Sequence, residues 1–316
     1  MPRITVLDGG MGRELHAMGA PVRQPEWSAL PVMETPDLVR EAHLRFAHAG
    51  AEVLTSNAYA VVPFHIGAEV FDKRGSELAR KAVQLAKEAA EKFSAEAPGR
   101  PKPRVAASMP PPLGSYHLEF TKNEAEARQI WTVLLRAQAD LCDQLALETL
   151  SSIAETRVGL EMCAKEGKPV WVSCSLCHDE PARLRSGETV ADWVRAVYAS
   201  NEEHGRCVEA LLFNCSRLEI MESAVRIAAS TLAELNATAS TPATLRIGVY
   251  ANAFCVNQMP EANTTILAMR EEITPEFYAE YAKQWIAAGA SIVGGCCGIG
   301  PAHIAQIAKI RDGQEQ

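Results

Sequence analysis

Eight short β-strand patterns alternate with longer helical patterns along the chain, and this alternation limits the possible folds more than any other feature. Several strand patterns are almost continuously apolar, as in Val170-Trp171-Val172, which is typical of strands buried on both faces of a parallel sheet. The predicted strands are Ile4–Leu7, Glu52–Thr55, Arg104–Ser108, Gln144–Leu147, Pro169–Ser173, Glu209–Phe213, Leu245–Tyr250 and Ala290–Val293.

The helical patterns carry start and stop signals that fit the same alternation. One helix is predicted to begin at Thr35-Pro36-Asp37, with an N-cap and a proline at its first position, and to end at Ala49-Gly50. The other predicted helices are Lys73–Phe93, Asn123–Cys142, Ser152–Gly167, Val190–Gly205, Leu218–Leu235, Thr274–Gly289 and Pro301–Ile310. Eight strand–helix units predict one domain over residues 1–316, folded as a (β/α)₈ TIM barrel, with an open doubly wound sheet as the alternative.

Composition and charge narrow the class of protein. Hydrophobic residues make up 47% and charged residues 22%, which is ordinary for a soluble globular protein. A net charge of −8 argues against an overall nucleic-acid footprint, although it leaves a local basic patch possible. No apolar run is long enough for a signal peptide or a membrane span, so we expect a cytoplasmic protein without nucleic-acid or membrane partners. In that compartment the nine cysteines are expected as thiols or metal ligands, whereas the oligomeric state is not predicted.

Unusual polar and sulfur-bearing residues follow the ends of six predicted strands. In a (β/α)₈ barrel these carboxyl ends meet at one rim, where the active site normally lies. The sequence therefore predicts a single site at this rim. The segments concerned are Asp8-Gly9-Gly10-Met11-Gly12, Ser56-Asn57-Ala58-Tyr59, Glu148-Thr149, Asn214-Cys215, Tyr250-Ala251-Asn252 and Gly294-Gly295-Cys296-Cys297-Gly298.

The adjacent pair Cys296-Cys297, flanked by glycines, is the sharpest local feature. Together with Cys215 from another strand end, the pair could form a three-cysteine zinc site with one coordination position open, as catalytic zinc requires. Two other interpretations are buried cysteines that behave as apolar side chains and a disulfide between the adjacent pair.

A second cysteine pattern, Cys174-Ser175-Leu176-Cys177-His178, matches the motif for covalent haem attachment. Haem of that kind is not expected without export of the chain. A second zinc site or a redox pair remains an alternative, and ordinary loop cysteines after the fifth strand are the favoured interpretation.

Asp8 and Glu148 are candidate ligands for a substrate ammonium group, although a carboxylate at a strand end can also cap a loop. The backbone N–H groups of Gly9 and Gly10 could receive a substrate carboxylate. Tyr59 and Trp27 could contact a cationic methyl donor by cation–π attraction, or could simply be core aromatics.

At these residues the sequence resembles the homocysteine S-methyltransferase family, from Leu7-Asp8-Gly9-Gly10-Met11-Gly12 to Gly294-Gly295-Cys296-Cys297-Gly298. The resemblance implies a (β/α)₈ barrel in which Cys215, Cys296 and Cys297 bind Zn²⁺. It further implies that Asp8 and Glu148 hold the amino-acid end of homocysteine, with help near Gly9 and Gly10. It places Asn57 in the substrate site, Asn214 beside the metal and Tyr59 near the donor.

The expected reaction is methyl transfer from a small onium donor to homocysteine, giving methionine. S-methylmethionine is the first choice of donor, followed by S-adenosylmethionine and then betaine or a related compound. Two alternatives remain: the same barrel acting on another thiol or selenol, and a non-catalytic zinc- or thiol-binding protein. The chain departs from the family pattern at Arg13, where a small Thr or Ser is usual, and in the proline-rich loop Met109–Gly114.

Overall fold

Eight parallel strands form the centre of the fold in the computed structural model, which describes residues 3–254 and 269–314. Hydrogen-bonded neighbours follow the order β1-β8-β7-β6-β5-β4-β3-β2. The strands are β1 (Thr5–Val6), β2 (Val53–Thr55), β3 (Arg104–Met109), β4 (Gln144–Leu150), β5 (Val170–Cys174), β6 (Val208–Asn214), β7 (Arg246–Ala251) and β8 (Ile292–Gly295).

The sheet closes on itself between its first two strands. Leu7 and Val53 form a parallel bridge, the N–H of Asp8 donates to the carbonyl of Val53 at 3.2 Å, and the N–H of Glu52 donates to the carbonyl of Val6 at 2.7 Å. Because β1 also pairs with β8, the ring of strands is continuous. The predicted TIM barrel in a single domain is therefore confirmed, and the open sheet is excluded.

Helices connect successive strands and cover the outside of the barrel. The signals at Thr35-Pro36 and Gly50 are confirmed, since the helix between them runs over Pro36–Ala49 and Gly50 adopts φ +112°. The helices are α1 (Met11–Ala17), α2 (Ala29–Glu34), α3 (Pro36–Ala49), α4 (Pro63–Ile66), α5 (Ala68–Glu96), α6 (Glu124–Gln138), α7 (Ile153–Ala164), α8 (Val190–Glu203), α9 (Leu218–Thr238), α10 (Pro275–Ala288) and α11 (Pro301–Gln314), with a 3₁₀ turn at Phe120–Lys122.

Two apolar clusters follow from the alternation of side chains along each strand. The larger lies between the strands and the helices, and includes Val6, Leu54 and Val293. The smaller comprises residues of the opposite strand face, where alanines at three strands accompany the bulky Trp171. Its members are Leu7, Val53, Ala106, Ala146, Trp171, Ala210, Leu212 and Ile292.

The observed strands differ from the predicted ones mainly at β4. This strand continues to Leu150, three residues beyond the predicted end at Leu147, because its pairing with β5 passes through a register shift. The short helices α1 and α2 were not predicted, because the glycines around Met11 resemble a loop. Within residues 3–254 and 269–314, no helix has the length and apolar character needed to cross a membrane.

Candidate active site

A cavity of about 190 Å³ lies at the carboxyl ends of the strands, at the rim where the sequence predicted a site. All of the predicted site residues except Asn214 line it, and Trp27 lines it as well. These are Asp8, Gly9, Gly10, Asn57, Tyr59, Glu148, Cys215, Cys296 and Cys297. The barrel thus brings together residues from the ends of β1, β2, β4, β6 and β8.

The three predicted cysteine ligands form one sulfur cluster at the wall of this cavity. The sulfur atoms of Cys215, Cys296 and Cys297 all lie within 4.8 Å of one another. Cys215 and Cys296 are joined as a disulfide across 81 residues, and Cys297 carries a free thiol. This pairing differs from the disulfide between adjacent cysteines that the sequence left open.

The cluster fits a zinc ion once the Cys215–Cys296 disulfide is reduced, because a disulfide sulfur has no negative charge to share with a metal. Tetrahedral zinc with Zn–S bonds of about 2.3 Å places its sulfurs roughly 3.8 Å apart, which is within the 4.8 Å that bounds the cluster. Burial raises the pKa of the Cys297 thiol to about 11, opposed by the Arg13 cation. Three thiols facing a cavity are the donor set of a site with an open position.

Left-handed backbone conformations occur at two residues around this cluster. Thr149 has φ 62° and Cys215 has φ 46°, values that cost a non-glycine residue about 1–2 kcal/mol. The amide of Asn214 links the two positions: its Oδ1 accepts from the N–H of Thr149 at 3.1 Å, and its Nδ2 donates to Thr149 Oγ1 at 2.8 Å. Asn214 is fully buried and does not line the cavity. The expected contact of Asn214 with the ligand therefore stays a prediction, and its hydrogen bonds favour a role in positioning the neighbouring Cys215.

Two buried carboxylates face the cavity from β1 and β4. Asp8 accepts hydrogen bonds from the N–H of Thr55 at 2.6 Å and from its hydroxyl at 3.2 Å. Glu148 accepts from the Ser108 hydroxyl at 2.5 Å and from the Tyr250 hydroxyl at 3.5 Å. Burial raises the pKa of Asp8 to about 8 and that of Glu148 to about 7, because desolvation disfavours the charged form. A cation bound between them would stabilise both in the charged state.

Gly9 and Gly10 allow two segments of backbone to approach closely. A Cβ on Gly10 would lie 2.5 Å from the carbonyl oxygen of Cys296, and one on Gly9 would lie 2.1 Å from that of Ile299. The N–H of Gly10 already donates to the Ile299 carbonyl at 2.9 Å. This donor is therefore used within the protein, and the expectation that backbone groups near Gly9 and Gly10 receive a substrate carboxylate stays a prediction.

Aromatic side chains form much of the remaining wall. The Tyr59 hydroxyl is hydrogen-bonded to Ser115 at 2.6 Å, and burial raises its pKa well above the ordinary value. Tyr116 donates to the carbonyl of Cys215 at 3.4 Å, so it reaches from the loop after β3 to the sulfur cluster. Trp27 lies on the same cavity. These rings give the cavity wall apolar surface, and one face of Tyr116 is covered by the Arg185 guanidinium, 4.5 Å from the ring centroid.

Asn57 lines the cavity but also has a structural hydrogen bond. Its Nδ2 donates to the carbonyl of Ser28 at 2.8 Å and so attaches the end of β2 to the segment before α2. Side chains that the sequence did not single out also contribute, namely Ser108 and Tyr116, which act through contacts between distant segments. Tyr250 was placed at the rim by its strand-end position, and its hydrogen bond to Glu148 now gives it a role.

The Cys174–His178 segment forms no second metal site. Within the described part of the chain, Cys215, Cys296 and Cys297 are the only group of three or more metal-ligating side chains close enough to share an ion. Cys174 is buried, and the thiol of Cys177 donates to the carbonyl of Leu184 at 3.2 Å. These contacts support ordinary loop cysteines.

Comparison with known proteins gives a consistent result over almost the whole length. A sequence model of the homocysteine S-methyltransferase family matches residues 5–311. Homocysteine S-methyltransferase of Escherichia coli is 32% identical, over 96% of this chain and 94% of its own length. Homocysteine S-methyltransferase 1 of Zea mays is 28% identical, over 98% of this chain and 94% of its own.

Solved structures show the same likeness. The metallated form of the homocysteine methyltransferase MmuM from Escherichia coli matches with a TM-score of 0.75 and 29% identity, over 98% of this chain and 96% of that chain. The oxidized form of the same protein matches with a TM-score of 0.75, over 97% of this chain and 96% of that chain. The likeness thus extends to a protein solved in a metallated and in an oxidized form.

Proposed function

The chain belongs to the homocysteine S-methyltransferase family, and we propose that it transfers a methyl group from a small onium donor to homocysteine, giving methionine. One observation carries the proposal: three cysteine sulfurs and two buried carboxylates line the same cavity. Homocysteine presents a thiol at one end and, at the other, an ammonium group beside its carboxylate.

Cys215, Cys296 and Cys297 would hold Zn²⁺, with the open position directed to the cavity. When bound, zinc keeps the substrate thiol deprotonated, and the thiolate is the reactive nucleophile. Thiolate ligands suit zinc, and the three required thiols must remain reduced, which supports a cytoplasmic enzyme.

Asp8 and Glu148 would bind the ammonium group of homocysteine and so fix the position of its sulfur. The buried pair loses charge readily in the free protein, and the ligand's positive charge offsets the desolvation that raises both pKa values. The thiolate sulfur of homocysteine would form a bond to the methyl carbon while the bond between that carbon and the onium atom breaks, and the donor would leave with that electron pair, one positive charge lower. Alignment of two reactants is worth about 7–11 kcal/mol when the reacting atoms are well oriented.

The aromatic wall supports a positively charged donor. Tyr59 and Trp27 line the cavity, and aromatic faces attract cations. A cavity of about 190 Å³ is small for a donor that carries a nucleoside, which supports S-methylmethionine ahead of S-adenosylmethionine. Betaine and related onium compounds remain the third choice.

The test is methionine formation by reduced, zinc-loaded protein given homocysteine and each donor separately. Cys296→Ser should lose both bound zinc and turnover. Cys207→Ser is the matched control, because Cys207 is a partly buried free cysteine outside the cavity lining, and it should keep both. Normal zinc content and turnover in Cys296→Ser would contradict the proposed site.

A zinc-loaded protein that forms no methionine with any donor would instead indicate another acceptor. The selenocysteine methyltransferase of Astragalus bisulcatus is 25% identical over 98% of this chain, so small selenols are the first acceptors to try. Saturable homocysteine binding without turnover by any donor or acceptor would indicate a binding protein.

A further inference from the structure

A second cavity, of about 570 Å³, lies at the opposite end of the barrel, where the strands begin. Six cationic side chains line it, against the carboxylates of Glu52 and Asp312. The cations come from the start of β1, the loop between α5 and β3, the start of β3, the start of β7 and the end of α11. They are Arg3, Arg100, Lys102, Arg104, Arg246 and Arg311.

Two of these cations have a structural role at the end of a helix. Arg311 donates to the carbonyl of Gly50 at 3.1 Å and lies 2.7 Å from Asp312. Arg100 donates to the carbonyl of His48 at 3.4 Å. Both contacts satisfy carbonyl groups at the carboxyl end of α3, which otherwise lack partners.

The nearby carboxylates are already fully engaged. Glu52 accepts from Arg3 at 2.7 Å and from the N–H of Val6 at 2.9 Å, and it lies 3.5 Å from Arg311. Glu209, beside the cavity, accepts from two nitrogens of Arg104 at 3.4 Å each and from the indole N–H of Trp171 at 3.2 Å. Neither carboxylate has much capacity left for a further cation.

Lys102 and Arg246 therefore remain without an anionic partner. Within residues 3–254 and 269–314, neither forms an ion pair within 4.0 Å. Among the described residues, Arg246 donates only to Ser291, to its hydroxyl at 3.1 Å and to its carbonyl at 2.5 Å. Burial lowers the pKa of Arg246, and the neighbouring cations Arg3 and Arg104 lower it further. The carboxylates of Glu209 and Glu52 raise it. The cavity wall thus concentrates positive charge that the protein itself does not neutralise.

We propose that this cavity, the amino-end cavity, binds a small polyanion that carries two or more phosphate groups. Guanidinium and ammonium groups are the side chains that recognise phosphate oxygens, and the volume is in the range of small-molecule sites. A compact ligand responds to the local field of the cavity. An extended nucleic acid would also meet the rest of a chain whose net charge is −8.

In the test, the reduced protein is titrated with tripolyphosphate at low salt, and binding is measured by calorimetry. Arg246→Met should weaken binding about tenfold, the effect of losing a charge-assisted contact to phosphate. Lys102→Met removes an exposed side chain, so the fold is retained, and it should weaken binding about fivefold. The matched control is Lys122→Met, an exposed lysine near the opposite rim that is paired with Glu119, and its affinity should equal that of the wild type.

The same titration is done with and without zinc, because the amino-end cavity and the sulfur cluster lie at opposite ends of the barrel. Equal isotherms are expected, whereas a signal confined to zinc-loaded protein would report chelation of the metal and overturn the proposal. Wild-type affinity weaker than about 1 mM, or unchanged affinity in both Lys102→Met and Arg246→Met, would also overturn it. Equal affinity for inorganic phosphate would overturn the requirement for more than one phosphate group.

Discussion

Replacing Asn214 with alanine should weaken the metal site without removing any atom that contacts the metal. The Asn214 amide makes two hydrogen bonds to Thr149, at 3.1 and 2.8 Å, inside a fully buried environment. Thr149 and Cys215, the residue after Asn214, both have left-handed backbone conformations that surrounding contacts must hold in place. Loss of the amide therefore allows the backbone at Cys215 to move, and the Cys215 thiolate moves with it.

The size of the expected loss of stability follows from the polar groups that the substitution leaves without partners. The N–H of Thr149 keeps only the Ser173 hydroxyl at 3.4 Å as a partner, so it is close to unsatisfied in the variant. A buried unsatisfied polar group costs about 1–3 kcal/mol, and the second lost hydrogen bond about 0.5–1.5 kcal/mol, so the free energy of unfolding should fall by about 1.5–4.5 kcal/mol. Residues that position metal ligands typically change metal affinity by about 10–100-fold, and the same range is expected here.

The assay measures two quantities on reduced protein: the free energy of unfolding in urea, and zinc affinity by competition with a chelator. Asn201→Ala is the matched control, because the buried Asn201 accepts a hydrogen bond from the N–H of Val208 at 2.8 Å, at the other end of β6. It should lose comparable stability and keep its zinc affinity. Equal loss of zinc affinity in both variants, or a change of less than about twofold in Asn214→Ala, would refute the positioning argument.

Three further predictions concern the same cavity. Because burial raises the pKa of Asp8 to about 8 and of Glu148 to about 7, both carboxylates gain protons as pH falls, so calorimetry on zinc-free protein should show weaker homocysteine binding at pH 6 than at pH 8. Glu148→Gln should weaken homocysteine binding more than tenfold at pH 8 and flatten this pH dependence, and an unchanged profile would argue against Glu148 as the ammonium ligand. Gly10→Ala places a Cβ 2.5 Å from the Cys296 carbonyl oxygen, so it should lower both zinc affinity and thermal stability, and a normal melting temperature would show that the turn can adjust.

Much of the framework could be read from the sequence because it depends on local patterns. Buried parallel strands are continuously apolar, and the junction at Gly50 needs a left-handed residue after a helix, so both leave a signal within a few positions. The sulfur cluster was also predictable, because the ends of β6 and β8 meet at one rim of any barrel. These predictions required only chain order and strand direction.

What the sequence did not disclose depends on contacts between distant segments. The positioning role that we infer for Asn214 depends on the left-handed backbone of Thr149, 65 residues away. The N–H of Gly10 donates to the carbonyl of Ile299, which follows β8 near the other end of the chain. Ordinary serines and tyrosines such as Ser108 and Tyr116 acquire a role only from their neighbours in space, so no local pattern marks them.

The barrel's closure between β1 and β2 places an unusual demand on Asp8. The carboxylate that we propose to hold the ligand also accepts two hydrogen bonds from Thr55, across the junction where the first and second strands meet. An asparagine would retain an acceptor for the strand junction but lose the negative charge, whereas a glutamate would retain the charge but displace it by one methylene. A substitution at position 8 therefore has to keep both the hydrogen bonds of the strand junction and the negative charge at the ligand site, which leaves few acceptable residues besides aspartate.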